Sequence, residues 1–307
     1  MAFEFKQNEP VRKGVRRLGR RQIGKALGCL KRCNRLEAVH EVRKVIKQLR
    51  ALLRLVRTAL SQSDYRGYSA ILRKGAGLLS AARDAHVRVK ALADLSTHFK
   101  RDLAPGSLRE VNDLLAAECR EQQAELYRAQ AARSVSRLVQ KLARQFGSLR
   151  LKESGWAALA PGIKRSYRDG RRGYQAARDA GRRPEELHAW RKRVKDLYYQ
   201  VGLLRPIWPE QMAAIEAKLE HLAECLGEDH DLFLLTEPNA FKQLRKRARK
   251  EAECLKSLVD KRHQELRDRA LARGARFYDE KAAVFCKRLG QYWKRWRQEP
   301  RRSLQAA

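Results

Sequence analysis

His40-Glu-Val-Arg43-Lys44-Val-Ile-Lys47-Gln-Leu-Arg50 and His188-Ala-Trp-Arg191-Lys192-Arg-Val-Lys195-Asp-Leu-Tyr198 are two versions of one segment, set in opposite halves of the chain. Histidine, arginine, two lysines and a leucine recur at identical offsets, and Arg57 and Arg205 extend the match. At ~100° per residue, His40, Arg43, Lys44, Lys47, Arg50, Arg54 and Arg57 fall on one side of a helix. Val42, Val45, Leu49, Leu52, Leu53 and Val56 fall on the other. In the second copy Trp190, Val194, Leu197, Val201 and Leu204 form the apolar side, and the cationic stripe is shorter because Tyr198 and Gly202 stand where Arg50 and Arg54 stood. A merely solvated helix face mixes Glu with Lys at i,i+4 spacing; these stripes carry almost no acid. Two matched cationic stripes point to a duplicated surface that holds a long polyanion, with the longer first stripe contributing more.

Composition supports that direction. The chain has 307 residues, with 69 Lys+Arg against 35 Asp+Glu and a formal net charge of +34. Such a surplus self-repels in the compact state and attracts anions from a distance. Nucleic acid, an anionic membrane surface and inorganic polyphosphate are the partner classes to weigh. A hydrophobic fraction of 43 % is enough for packed cores and excludes a disordered chain. No run approaches the ~18 apolar residues a membrane helix requires, and Met1-Ala-Phe-Glu-Phe-Lys6 has no signal-peptide pattern. Membrane insertion is therefore not expected, and a cytoplasmic protein is. The six cysteines are too sparse for a disulfide scaffold. Cys29 and Cys33 lie one helical turn apart but have no finger-like partners, so no metal and no cofactor are expected.

Alanine, leucine, arginine, lysine and glutamate dominate, breakers cluster, and no segment has the alternating β-branched character of a strand. The expected helices run from Pro10 to Asn34, Arg35 to Leu60, Tyr65 to Arg101 with a kink at Gly75-Ala-Gly77, and Ser107 to Gln145. Short turns between four helices specify an antiparallel bundle. The pattern loosens from Phe146 to Gly162, which places a boundary between residues 1–150 and 151–307. A helix then follows Pro161-Gly162 to Gly181. Others span Pro184 to Pro206 or Pro209, Gln211 to Leu235, Asn239 to Arg273 and Phe277 to Gln298, punctuated by Pro238 and Gly274. A second internal match aligns Leu79-Ser-Ala-Ala-Arg83-Asp84 with Leu226-Gly-Glu-Asp-His230-Asp231, so each half reads as a copy of one helical unit. The preceding helices carry Arg12, Arg16 and Arg20 in one half and Lys164, Arg165, Arg168, Arg171 and Arg172 in the other. If each lies beside its stripe, the basic edges merge into a trough, and two facing troughs into a channel.

These residues resemble the CHAD domain family, a histidine-containing α-helical domain. The resemblance spans essentially the whole chain. It rests on the paired His-x-x-Arg-Lys-x-x-Lys helices, the two Leu-(x)4-Asp segments ending at Asp84 and Asp231, and the helix with Tyr167-Arg168 and Arg171-Arg172. It implies an all-α fold of two four-helix bundles related by a pseudo-twofold axis, with inorganic polyphosphate bound in a central basic groove. On that resemblance His40, Arg43, Lys44 and Lys47, with His188, Arg191, Lys192 and Lys195, are the expected polyphosphate ligands. Arg50, Arg54, Arg16, Arg20, Lys164, Arg168, Arg171 and Arg172 line the expected groove around them. Some relatives join the domain to a triphosphate-tunnel enzyme with a Glu-x-Glu-x-Lys strand. Nothing near Met1 to Lys6 resembles it, so a non-catalytic protein is expected, with polyphosphate granules as a location the resemblance implies.

Polyphosphate presents roughly one charge per phosphate and no bases, and a mixture of forked Arg and mobile Lys can hold it without one register. Imidazoles beside phosphate favour their charged form, so binding is expected to take up protons and to strengthen between pH 8 and pH 6. Asp84 and Asp231 are expected to orient a neighbouring cation rather than to catalyse. A nucleic-acid binder is the main alternative, but no helix-turn-helix, RRM or zinc-finger signature appears, and aromatics (7 %) do not interleave with the stripes. Arg245-Lys-Arg247-Ala-Arg249-Lys250 and Lys294-Arg-Trp296-Arg297 are expected to be solvated helix ends rather than lipid contacts.

Overall fold

A computed structural model describes residues 3–31 and 36–299. Among the described residues the chain is helical throughout, with no strand. The helices are α1 (Val11–Leu30), α2 (Leu36–Leu55), α3 (Gln62–Gly77), α4 (Ser80–His98), α5 (Arg109–Arg128), α6 (Ala131–Ser148), α7 (Gly155–Asp179), α8 (Pro184–Leu203), α9 (Pro209–Leu235), α10 (Pro238–Arg247), α11 (Arg249–Phe277) and α12 (Ala282–Gln298). Short 3-10 turns at Arg57–Ala59 and Arg205–Ile207 follow α2 and α8. The expected junction at Asn34 and Arg35, and Cys33, lie outside the described residues.

Four expected helices differ from those observed. The segment from Tyr65 to Arg101 is two helices, broken at Leu78-Leu79, just after the glycines. Leu79 becomes fully buried there, and the Ser80 hydroxyl donates to the Gly77 carbonyl at 2.7 Å. The segment from Ser107 to Gln145 breaks at Gln130, which adopts φ +46°; no Gly or Pro marks the break, so propensity could not reveal it. The segment from Asn239 to Arg273 breaks at Ala248, a buried residue inside a basic run. The helix expected after Pro161 begins at Gly155 and passes through the proline. An internal proline costs ~3 kcal/mol. Burial of Ala158 and Leu159 and the packing of Trp156 on Trp293, ring centres 5.9 Å apart, offset that cost. Gly274 lies inside α11 rather than at its end, and Trp190 and Tyr174 pack where a side chain would stand.

Helices α1, α2, α3 and α6 close one ring of neighbours, and α7, α8, α9 and α11 close another. The two sets meet where α2 packs on α8, and α4 extends from the first set to lie along α9. One continuous apolar core runs through both sets. The apolar sides of α2 and α8 face into it: Val42, Val45, Leu52, Val56, Trp190, Val194, Leu197 and Val201 are all fully buried. Each such side chain contributes about 1.5–3 kcal/mol relative to exposure. At the contact, Gln200 is fully buried and its amide donates to the Ala51 carbonyl on α2 at 3.1 Å. The first residues of the chain tie back to the second set: the Phe5 N–H donates to the Leu203 carbonyl at 3.0 Å, and Phe5 meets Trp293 edge-on.

The contact of α7 with the end of α2 depends on Gly162, where an added Cβ would lie 1.9 Å from the Leu55 carbonyl oxygen. That obstacle is backbone and cannot rotate away. Gly162→Ala is therefore expected to destabilise the protein by about 1–3 kcal/mol or more, lowering the midpoint of thermal unfolding by several degrees. Gly24, with open space around its Cα, is the control: Gly24→Ala should stabilise by about 0.5–1 kcal/mol, because Gly is costly inside a helix. Equal midpoints for the two variants would contradict this packing.

Candidate anion-binding cavity

Because α2 and α8 bury their apolar sides, their cationic sides converge on one space. That space is a cavity of ≈ 240 Å³. Helix α2 lines it with Arg43, Lys47, Arg50 and Arg54, and α8 with His188, Arg191, Lys192, Arg193, Lys195, Asp196 and Tyr199. Helix α4 adds Arg83 and α9 adds His230. Nine lysines and arginines thus surround a single carboxylate. The two central helices supply four cations each, since Arg193 compensates for the shorter repeated stripe on α8.

Backbone and carboxylate contacts fix several of these cations. Arg43 donates through Nη1 to the Ala76 carbonyl at 2.8 Å, using an acceptor at the C-terminal end of α3. Arg83 is held by Asp84 at 2.8 Å and by Asp231 of α9 at 3.3 Å, which ties α4 to α9. Asp196 lies 3.0 Å from Arg54 and 3.8 Å from Arg193. The rings of His188 and His230 lie against each other, tilted by 35° with centres 4.2 Å apart. Buried Nε of Arg43, Nε of Arg191 and Nδ1 of His188 have no hydrogen-bond partner. Unpaired buried polar atoms are costly.

The electrostatics point the same way. Burial, and then Arg191, Arg83, Arg43 and Lys195, push Lys47 down to about 7. Arg43, Arg50, Arg191, Lys192 and Lys195 are lowered too, each chiefly by burial and also by neighbouring cations. Burial raises Asp196 against the pull of Arg54, Arg193 and Arg50. Burial, then Lys192, Arg191 and Arg83, bring His188 down to about 4, and His230 is lowered further by burial, Arg191 and His188. His40 is also lowered, mainly by burial and by Lys47. The imidazoles are expected to take up protons beside bound phosphate; burial and the surrounding cations set the starting point for that uptake by disfavouring their charged form. In the ligand-free cavity they stay neutral, and Lys47 is the lining group poised to titrate there.

The remaining expected ligands lie elsewhere. His40 and Lys44 are exposed at the edge; Lys44 faces a neighbouring depression with Gln48 and Lys195. The cations expected to extend a trough onto α1 and α7 stand outside the cavity wall. Arg16 donates through Nε to the Leu149 carbonyl at 3.0 Å, and Arg20 sits over Gly147, so both face the end of α6. Lys164 lies beside Cys286 of α12, Arg171 near Tyr167, and Arg168 at 3.5 Å from Asp169, while Arg172 is exposed. None of the six lines the cavity. Helix α1 packs on α6 as well as on α2, and α7 on α12 as well as on α8. Conversely, Arg83 and His230, not assigned to the site from the sequence, occupy equivalent positions of the second internal match, each next to an aspartate. Arg193, Asp196 and Tyr199 break the repeat and carried no signal.

The family model for the CHAD domain matches residues 17–240. Among solved structures, the chain is similar to the crystal structure of the CHAD domain from the plant Ricinus communis, at 16% identity and a TM-score of 0.66, with 91% of this chain and 95% of that chain covered. It is also similar to PptA from Streptomyces chartreusis, at 16% identity and a TM-score of 0.56, with 90% and 96% covered. A search of the curated proteins found no match. At such identities the solved structures show a shared fold, while the family model spans well over half of the sequence. This chain belongs to the CHAD domain family.

Proposed function

We propose that this protein binds inorganic polyphosphate, without chemical conversion, in the cavity between α2 and α8. The observation that carries this reading is the set of nine lysines and arginines around one carboxylate in a space of ≈ 240 Å³. A thin, base-free polyanion suits such a space. A nucleic-acid duplex does not, since its grooves are read by elements laid along an open surface. Nor does the wall offer a stacking platform for single strands, because Tyr199 is its only aromatic side chain besides the histidines. The one lining carboxylate is engaged by Arg54 and Arg193, which fits a binding site better than an acid–base centre. Attachment to polyphosphate granules in the cytoplasm would follow from this activity.

Calorimetric titration at ~0.15 M salt, where exposed charges are screened within ~8 Å, tests the reading. Saturable binding of polyphosphate with much weaker binding of a DNA duplex is expected; comparable binding of both would move nucleic acid to first place. Arg43→Glu and Arg191→Glu should each weaken polyphosphate at least about tenfold, equivalent to 1.4 kcal/mol. Arg20→Glu and Arg172→Glu, outside the cavity, should change it by no more than about twofold, since exposed charges are weakly coupled. Equal losses at all four positions would mean that the charge acts generically.

Lys47 sets the pH dependence. Folded, it releases its proton near 7; an unfolded lysine holds it to about 10.5. The unfolded chain therefore binds more protons across that window, so the ligand-free fold gains stability as pH rises through it. A bound polyanion restores the charge on Lys47, so binding near pH 8 takes up a proton and affinity should fall from pH 6 to pH 8.5. Lys47→Arg, which stays charged, should flatten that dependence. Titrations in two buffers of different ionisation enthalpy measure the proton uptake directly, and an unchanged pH profile in the variant would assign the effect elsewhere.

A further inference from the structure

Two depressions adjoin the cavity, and their charge differs sharply from it. One, of ≈ 380 Å³, shares Lys195 and Tyr199 with the cavity. Apart from Lys195, it sets Glu4, Glu216 and Glu220 against only Lys44 and Arg205. The other, of ≈ 580 Å³, shares Arg191 and Lys195. Apart from these, it sets Asp94, Glu224, Glu228 and Asp231 against Lys90 and Arg262, with His98 beside them. Most of these carboxylates come from one edge of α9, where Glu216, Glu220, Glu224 and Glu228 recur every four residues. Lys195 stands between Glu220 and Glu224, which both act on it. Arg262 engages Glu228 at 2.6 Å and 2.9 Å, and the Tyr198 hydroxyl donates to Glu220 at 3.2 Å, so the ladder is held in place.

The opposite side of the cavity has no such ladder. Exposed Arg50 and Lys192 lie next to each other there, with Arg193 beside Lys192 and exposed Arg73 of α3 close to Arg50. In the register that aligns Leu79 with Leu226, the positions matching Glu216, Glu220, Glu224 and Glu228 are Ser69, Arg73, Gly77 and Ala81. The acidic edge therefore belongs to one half of the chain only, and it makes an otherwise paired site directional.

We propose that the cavity takes a polyphosphate chain end-on: a terminus enters past Arg50, Arg73 and Lys192 and is stopped by the carboxylate ladder of α9. This rests on the polyphosphate reading above. A chain running straight through would have to pass the exposed Glu220 or Glu224, whose like charges repel it at contact even though solvent screens them over longer distances. A chain bent back on itself would place two strands of phosphates in a cavity of ≈ 240 Å³. An end avoids both.

The test is the stoichiometry on linear polyphosphates of tens and of hundreds of phosphate units, measured by sedimentation with the full-length protein. End-on binding gives two protein molecules per chain at both lengths, and blocking both terminal phosphates as alkyl phosphoramidates should weaken binding at least about tenfold. A number of bound proteins that grows with chain length, or undiminished binding of blocked chains, would overturn the end-on proposal and leave the polyphosphate reading standing. No binding at any length would overturn both. The Glu220→Gln, Glu224→Gln double variant should bind longer chains in growing number. If it stays at two per chain while folded, the ladder is not the stop and the proposal fails.

Discussion

The packing of α2 against α8 is the contact on which the rest of the molecule depends. Each helix buries one apolar side, and in each the opposite side carries arginines and lysines at helical spacing. Bringing the apolar sides together in one core leaves the cationic sides no separate places to go. The buried amide of Gln200 on the Ala51 carbonyl joins the two helices. Gly162, set against the Leu55 backbone, lets α7 close over the end of α2. Small changes at this junction would alter how far the two cationic sides converge.

That convergence is electrostatically uphill without a ligand. Lys47 sits among arginines from three helices and its charged form is disfavoured, while His188 and His230 remain neutral beside it. The surrounding apolar core is what tolerates the repulsion, since its many buried side chains each contribute on the scale of a kcal/mol or more. The ion pairs that exist, Arg83 with Asp84 and Asp231, and Arg54 with Asp196, position individual guanidinium groups rather than neutralise the site. Under the proposed function, binding and stability would be linked, since an anion held in the cavity would lower this repulsion.

Much of the helical architecture was legible because periodicity and breakers carry it. The buried sides of α2 and α8 follow directly from the spacing of Val42, Val45, Leu49, Trp190, Val194 and Leu197. Helix breaks without a breaker were not legible: Gln130 and Ala248 are ordinary helix formers, and only the need to turn α6 and α11 into the core bends the chain there. Pro161 misled in the opposite sense, since tertiary packing carries α7 straight through it. Around the cavity, Arg43, Lys47, Arg50, Arg54, His188, Arg191, Lys192 and Lys195 of the repeated stripe line the wall, whereas Arg16, Arg20, Lys164, Arg168, Arg171 and Arg172 stand outside it. A helical wheel separates wet from dry sides, but it cannot say which neighbour a wet edge will meet.

By itself, then, the sequence determined an all-helical chain with a large cationic excess, two matched amphipathic helices, and the division of each into an apolar and a basic side. These are local properties, written in spacing and composition. Only the tertiary structure decided that α4 reaches across to α9, so that Arg83 and His230 join the cavity while the arginines of α1 and the basic cluster of α7 do not. It also decided that the glutamates of α9 stand beside Lys195. Proximity between residues far apart in sequence is set by how whole helices share a finite core, and by the like-charged groups that this sharing forces together. No one helix encodes that information.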